Sequence, residues 1–158
     1  MAELNFNSVT GMIRQVTPFN NSCCEQQVQL INANGITNII VRPSTLVAGG
    51  VRLRPGMTVT AFYDADAAAS TIFPPRFDAL IIAPRGPREE VFAGYFDNRL
   101  VARNNALRLN IGPNTNIVTA NGQQFTCSPA GRLLIVYYRT ATRSIPPQTT
   151  PHRIIVVC

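Results

Sequence analysis

Lysine and tryptophan are missing from this sequence of 158 residues, and histidine occurs only once. All 14 basic residues are therefore arginines, and they outnumber the eight acids to give a net charge of +6. Proteins that bind nucleic acid through its phosphates usually use both cations, because a lysine point charge releases counterions as well as an arginine fork does. A bias toward arginine codons explains the same excess without a binding role.

Long apolar runs are also missing. The longest has six residues, from Leu133 to Tyr138, whereas a membrane-spanning helix needs roughly 20. The N-terminal residues 1–15 contain no apolar core like that of a signal peptide. We therefore expect a cytoplasmic protein with no membrane partner.

Cysteine is scarce, with four residues in the chain. Without a secretory signal, a disulfide framework is not expected, and the default expectation for the thiols is a buried or edge position. The adjacent pair Cys23 and Cys24 lacks the two-residue gap that lets two thiolates reach one zinc ion, and His152 is distant in the sequence. The sequence predicts no metal site and no cofactor.

The residues that are plentiful favour β-structure. Valine, isoleucine and threonine account for 41 of the 158 residues, and turn-forming Asn, Gly and Pro are common. No segment has a convincing helical period, so an all-β protein is predicted. The expected strands, five in each half, are Ser8–Val16, Gln26–Ile31, Ile36–Val47, Met57–Asp64, Phe77–Ala83, Glu90–Phe96, Arg99–Val101, Ala106–Thr119, Arg132–Arg139 and Arg153–Cys158.

An internal repeat divides the chain. Residues 41–47 match residues 111–117 at alternate positions, which is the period of a strand. Residues 56–83 can be laid without a gap on residues 131–158, which pairs Tyr63 with Tyr138. The repeat predicts two tandem domains, 1–84 and 85–158, in equivalent folds with the two tyrosines buried. A five-stranded barrel like the OB-fold would cover the edges of so small a sheet, here without the usual helix between strands three and four.

Four motifs resemble a known group of proteins. The motifs are TGxI (Thr10–Ile13), VxPxT (Val41–Thr45), LxPGMxVxxFYD (Leu53–Asp64) and PPxFxALII (Pro74–Ile82). In this order they resemble uncharacterised small bacterial OB-fold-like proteins, including tandem forms from Firmicutes. The resemblance implies a tandem five-stranded barrel and transfers no catalytic or binding residue.

Catalysis is not expected. The gapless repeat pairs His152 with Phe77, which suggests packing rather than a role as a base. Asp64 and Asp66 open a loop, where aspartate is ordinary turn chemistry, and no phosphate-binding glycine pattern occurs.

The candidate binding site lies in the second half, which holds nine arginines and three acids from residue 84 onward. Two long loops, Ala65–Phe77 and Thr140–His152, join strands four and five, and in this architecture such loops bind ligands. The aligned residues at their ends are Asp64 and Asp78 in the first half but Arg139 and Arg153 in the second. The candidate ligand-binding residues are Arg108, Tyr137, Arg139, Thr140, Thr142, Arg143, Ser144 and Arg153.

Two functions follow from these residues. In the first, the protein is a non-catalytic binding module, and forked arginines and hydroxyl donors in the second barrel hold an anionic ligand, either single-stranded nucleic acid or an acidic oligosaccharide. Tyr137 and its counterpart Phe62 would point outward, where a ring stacks on a base or packs the barrels together. In the second, the protein is a structural or protein-interaction protein that forms a fixed two-barrel unit or a homo-oligomer.

Overall fold

A computed structural model describes residues 5–67 and 72–158 of the chain. Residues 1–4 and 68–71, the latter within the first long loop, lie outside the described residues. The described chain divides into two compact units, Asn5–Arg85 and Gly86–Cys158.

The fold is all-β, and the described residues contain no α-helix. Two short 3-10 turns occur, at Ala48–Gly50 and Arg103–Asn105. The strands are β1 (Phe6–Phe19), β2 (Ser22–Asn32), β3 (Gly35–Val41), β4 (Leu46–Val47), β5 (Thr58–Asp64), β6 (Arg76–Asp78), β7 (Ile81–Pro84), β8 (Glu90–Tyr95), β9 (Arg108–Leu109), β10 (Asn116–Thr119), β11 (Leu133–Tyr138), β12 (Gln148–Thr149) and β13 (Arg153–Val157).

The first unit is a mixed seven-stranded sheet in the order β4-β7-β5-β1-β2-β3-β6. The pairings β3 with β6 and β4 with β7 are parallel, and the others are antiparallel. The sheet does not close into the barrel that the sequence predicted, because β4 and β6 remain at its two ends. The expected fifth strand, Phe77–Ala83, is interrupted.

Two residues, Ala79 and Leu80, separate β6 from β7, and each bonds to a different neighbouring strand. Ala79 donates its backbone N–H to the carbonyl of Ile40 on β3 at 3.0 Å. Leu80 donates its N–H to the carbonyl of Phe62 on β5 at 2.8 Å. The segment 76–84 thus bonds first to one end of the β1–β3 meander and then to β5.

The long strand β1 pairs with both β2 and β5. Its register with β2 shifts between Ile13 and Gln15, as at a bulge, so the strand can bend between β2 and β5. Gly11 lies in close contact with β2, since a Cβ there would lie 2.9 Å from the carbonyl oxygen of Ile31. A side chain at this position would force the two strands apart.

The second unit contains the same kinds of pairing with shorter strands. Its sheets have the orders β10-β13-β11-β8 and β12-β9, and the pairs β10–β13 and β9–β12 are parallel. The predicted strand Arg99–Val101 is reduced to two isolated bridges, Phe96 to Ala102 and Val101 to Arg108. β12, which the sequence analysis missed, lies inside the second long loop.

Each unit has its own apolar core. In the first unit the core holds Ile13, Val28, Leu30, Ile39, Val59, Ala61, Ala79 and Ile82. In the second it holds Phe96, Ala102, Leu107, Leu109, Leu134, Val136, Ile154 and Val156. Leu107 and Leu109 are buried while Arg108 and Asn110 are exposed, which is the alternation of a strand with one covered face.

The tyrosines and their neighbours do not have the predicted exposure. Phe62 and Tyr137 are buried, with 4% and 3% of their surface exposed, and do not point into solvent. Tyr63 and Tyr138 are only half-buried. The prediction that Phe62 and Tyr137 point outward assumed that one face of each strand lies in solvent. It was wrong because both faces of β5 and β11 carry buried side chains.

A matching set of hydrogen bonds recurs in the two units. In each unit, a threonine hydroxyl accepts a hydrogen bond from the backbone N–H three residues earlier and donates one to a backbone carbonyl near the last strand. A proline carbonyl in the long loop also accepts a backbone N–H, from β3 in the first unit and from β9 in the second. The matched bonds are Arg42 N–H to Thr45 and Gly112 N–H to Thr115; Thr45 to Ala79 and Thr115 to Pro151; Asn38 N–H to Pro75 and Arg108 N–H to Pro147; and Leu80 N–H to Phe62 and His152 N–H to Tyr137.

These bonds also correct the gapless alignment. Before the long loop the equivalent residues are 75 apart, as in Phe62 and Tyr137. After it they are 72 apart, because Leu80 and His152 hold equivalent positions. The expected pairs Phe77 with His152 and Asp78 with Arg153 are therefore wrong, and the second loop is three residues shorter.

Two further expectations bear on the surface. All four cysteines are exposed free thiols, not buried ones. Among the described residues, no helix has both the length and the apolar character required to cross a membrane.

Candidate functional site

Two of the predicted site residues, Thr140 and Thr142, line one pocket in the second unit. The pocket has a volume of about 430 Å³ and is lined by Asn110, Thr140, Ala141, Thr142, Gln148, Thr149 and Thr150. Its walls carry hydroxyl and amide groups and no charged or aromatic side chain. We call it the threonine pocket.

Two of the predicted hydroxyl donors are occupied within the loop. Ser144 donates to the carbonyl of Pro146 at 2.9 Å, so the bond of 2.6 Å between Ser144 and Thr142 is donated by Thr142. Thr142 also accepts the N–H of Gln148 at 2.9 Å. These hydroxyls stiffen the loop and retain only acceptor capacity for a ligand.

Other groups at the threonine pocket keep donors. The hydroxyls of Thr140 and Thr150 make no hydrogen bond among the residues that the structure describes, and both residues are exposed. Asn110 donates one of its two amide hydrogens to Gln148 at 3.2 Å, which leaves the other. The pocket can therefore still donate from two hydroxyls and one amide.

Arginines surround this pocket in the sequence and in the pairing. Arg139 and Arg143 flank the pocket residues Thr140 and Thr142, and both are exposed without an ion pair within the described chain. Arg108, also exposed, lies on β9 opposite Gln148 and two residues before Asn110. Arg139 and Arg143 are thus sequence neighbours of two pocket residues, and Arg108 pairs with a third, although none of these arginines lines the pocket itself.

Tyr137 and Arg153 are not available in the same way. The guanidinium of Arg153 lies 5.3 Å from the centre of the Tyr137 ring. Burial raises the pKa of Tyr137 to about 12, against the opposing effect of the Arg153 charge. Since its ring is covered, Tyr137 cannot serve as a stacking surface for a ligand, contrary to the prediction.

His152 has a hydrogen-bond partner, Glu89, that the sequence did not predict. Its Nε2 lies 2.9 Å from a carboxylate oxygen of Glu89, while its Nδ1 is buried without a hydrogen-bond partner among the described residues. In the neutral ring, Nε2 thus carries the proton that Glu89 accepts. The pair fastens the segment before β8 to the start of β13.

Several effects act on the ionisation of Glu89. Burial by itself raises its pKa, but the N–H of Gly86, the side chain of His152 and the charge of Arg139 together hold the pKa below 4.5. The carboxylate is therefore ionised at neutral pH, and part of the charge of Arg139 is balanced locally.

A second pocket, of about 440 Å³, lies in the first unit, where no ligand site was predicted. It is lined by Phe19, Arg42, Tyr63, Asp64, Ala67, Arg76, Phe77, Asp78 and Leu80. We call it the aromatic pocket. Its residues Arg76, Phe77 and Asp78 hold the positions that Gln148, Thr149 and Thr150 hold at the threonine pocket, since Arg76 pairs with Asn38 as Gln148 pairs with Arg108.

Two charged residues of the aromatic pocket, Arg42 and Asp78, form an ion pair with each other. Arg42 pairs with Glu25 and, at 3.2 Å, with Asp78. Asp78 therefore has its cation within the first unit. Arg42 and Arg76 also lie 6.0 and 5.3 Å from the centre of the Phe19 ring. These contacts orient both guanidinium groups toward one ring.

The aromatic pocket was missed because its parts are far apart in the sequence. Phe19 ends β1, Arg42 follows β3, Tyr63 lies on β5 and Phe77 on β6. The available signal was the presence of arginine inside two motifs, VRPST and PPRFD, whose parallel pairing through β3 and β6 the sequence does not show.

No protein-family model, curated protein or solved structure matches this chain.

Proposed function

We propose that this protein is a non-catalytic binding module built from two tandem OB-like units, and that the second unit binds an acidic oligosaccharide at the threonine pocket. The observation that carries the proposal is an open pocket lined by hydroxyls and amides and neighboured by exposed arginines without ion pairs among the described residues.

The recurrent hydrogen bonds support a duplication. Composition alone does not account for a threonine that bridges the same two backbone positions in both units, because the bridge requires the VxPxT-like turn and the final strand to meet in one geometry. The shift from 75 to 72 residues falls in the long loop, where insertions are tolerated.

The pairing of segment 76–84 supports the OB-like assignment. If β6 and β7 act as one bent strand, the first unit has the order β1-β2-β3-(β6–β7)-β5, with β5 next to β1 again. Such an arrangement protects both ends of a short sheet.

The chemistry of the threonine pocket favours a sugar. An oligosaccharide offers many hydroxyls to groups such as Thr140, Thr150 and Asn110. Its carboxylate or sulfate groups suit the forked donors of Arg139 and Arg143. Single-stranded nucleic acid is favoured less, because base stacking needs an open ring and Tyr137 is covered.

Calorimetric titration of the whole chain with a hyaluronan hexasaccharide and a heparin hexasaccharide tests the proposal. We expect one of them to bind, more weakly as salt rises. The double variant Arg139→Gln, Arg143→Gln should lower the affinity about tenfold or more, because two charge-assisted hydrogen bonds are lost. The double variant Arg52→Gln, Arg54→Gln removes the same charge from exposed positions of the first unit and should change little.

Three outcomes would contradict the proposal. Equal weakening by the two double variants would mean that only net charge matters. Binding of an oligonucleotide, but of neither sugar, at Arg139 and Arg143 would assign the wrong ligand class. If neither sugar binds and sedimentation shows self-association that salt does not weaken, the alternative of a structural or interaction protein gains support.

A further inference from the structure

We propose that the aromatic pocket of the first unit is a separate binding site for a nucleotide, whose base stacks on Tyr63 and whose phosphate is held by Arg76. This inference does not depend on the oligosaccharide site, because it concerns residues of the other unit.

Tyr63 provides a supported flat surface. Its ring stacks on that of Phe77, with centroids 4.0 Å apart and an angle of 14° between the planes. Phe77 in turn packs against the core of the first unit. Tyr63 is therefore backed on one side while it lines the pocket and stays half-exposed. A planar ligand ring that stacks there extends an existing stack at little entropic cost.

Arg76 is the available cation of this pocket. Among the described residues it makes no ion pair, and its contact is the face of Phe19 at 5.3 Å. Arg42, by contrast, is held by Glu25 and Asp78. An anion that binds Arg76 meets an unpaired cation, whereas one that binds Arg42 must share its charge with two carboxylates. The geometry thus favours one anionic group next to the ring.

The carboxylates of the pocket narrow the ligand class. Asp64 and Asp78 line it together with Arg42 and Arg76, so the lining is balanced in charge. A polyanionic sugar would meet two carboxylates and one unpaired guanidinium. A nucleotide presents one phosphate to Arg76, and Asp64 can accept hydrogen bonds from the N–H groups of its base. The volume of about 440 Å³ is in the usual range for small-molecule sites.

The second unit offers matched control positions. Tyr138 is the counterpart of Tyr63 on β11, but the residues that follow the loop there are Gln148, Thr149 and Thr150, which supply no ring or charge. Arg132 lies 5.2 Å from the ring of Phe125, so it is also an arginine stacked on phenylalanine. Substitutions at Tyr138 and Arg132 remove the same chemistry from the other unit.

The experiment titrates the whole chain with AMP, GMP, CMP and UMP, with adenosine, and with RNA and DNA hexamers, and measures binding by calorimetry and by NMR shifts. We expect at least one nucleotide or hexamer to bind, and Tyr63→Ala to weaken it by roughly 5- to 100-fold while Tyr63→Phe does not. Arg76→Gln should weaken the binding of nucleotides but leave any binding of adenosine, which has no phosphate, unchanged. Tyr138→Ala and Arg132→Gln should leave the binding of nucleotides unchanged.

The arms distinguish the source of the nucleotide. Comparable binding of mononucleotides and hexamers supports a free nucleotide as the ligand, and binding of hexamers alone supports single strands. The proposal is overturned if none of these probes binds, if Tyr63→Ala in a protein with unchanged melting temperature binds normally, or if Tyr138→Ala is equally damaging. Loss of sugar binding in the Arg139→Gln, Arg143→Gln variant with nucleotide binding intact would separate the two sites.

Discussion

Thr115 donates its hydroxyl proton to the carbonyl oxygen of Pro151 at 2.7 Å, and this bond ties the turn before β10 to the residue before His152. The same hydroxyl accepts the N–H of Gly112 at 3.1 Å. Thr45 makes the corresponding bonds to Ala79 and Arg42 in the first unit. One side chain in each unit therefore satisfies two backbone groups and fixes the approach of the parallel edge strand.

Replacing either threonine by valine should destabilise its unit. The substitution keeps the shape but leaves one backbone N–H and one carbonyl without their partner, at a cost of about 1–3 kcal/mol. Thr115→Ser and Thr45→Ser keep the hydroxyl and should cost less than the valine variants. Chemical denaturation followed by circular dichroism measures the difference, and equal losses for valine and serine would show that the hydroxyl bonds are not important.

Gly11→Ala should lower the stability of the first unit. The new Cβ would lie 2.9 Å from the carbonyl oxygen of Ile31 and 3.2 Å from the Cβ of Leu30, so β1 and β2 must move apart. We expect a loss of about 1–3 kcal/mol, as for other overpacked sites. Gly86→Ala is the control, since its nearest neighbour would lie at an ordinary 3.5 Å. A Gly11→Ala protein as stable as the Gly86→Ala protein would contradict the close approach.

The ionisation of Glu89 should make the stability of the protein depend on pH. Because the pKa of Glu89 is held below 4.5 in the folded chain, the unfolded chain takes up the proton first as the pH falls. The stabilisation by Glu89 is thus complete above pH 4.5 and is lost as the pH drops through the folded pKa. The difference in melting temperature between the natural protein and Glu89→Gln should shrink over that range.

Asp66→Asn provides the control for the removal of one negative charge, because Asp66 is exposed in the loop after β5. A difference between the natural protein and Glu89→Gln that stays constant down to pH 2 would argue against a depressed pKa for Glu89.

The phenol of Tyr137 should ionise at a higher pH than an ordinary tyrosine. Burial raises its pKa to about 12, so in an ultraviolet titration one of the four phenols should ionise about two pH units above the usual value of 10. The unfolded chain loses this proton first, and the protein should therefore lose stability as the pH rises from 10 to 12. Tyr137→Phe should remove the late step, and its persistence in that variant would refute the assignment.

The sequence predicted the fold class and most strands, because β-branched residues, turn residues and a period of two are local signals. It did not predict that both faces of β5 and β11 are covered, since alternation places Phe62 and Tyr137 on a wet face and both are in fact buried. Nor did it predict the pairing after the long loop, where the residues from Leu80 and His152 onward are shifted by three positions. A gapless alignment with apolar residues at both ends hides such a shift.

The sequence could suggest the first candidate site but not the second, for a related reason. Arg139, Arg143 and Thr140 are close in sequence, so a local reading could group them. The aromatic pocket requires contacts such as Arg42 with Asp78 and Tyr63 with Phe77, which join β3, β5 and β6. Such long-range pairings follow from parallel strands, and composition carries no information about them.

The three-residue difference between the two long loops also indicates where this architecture can be varied. Twelve residues separate Tyr63 from Arg76, and nine separate Tyr138 from Gln148, yet β6 and β12 meet β3 and β9 in the same register. An odd number of inserted residues inside a strand would turn its inner side chains outward. Since this loop absorbs the difference, its length and sequence can change while the strands stay in place, and new specificities can be grafted there by insertion.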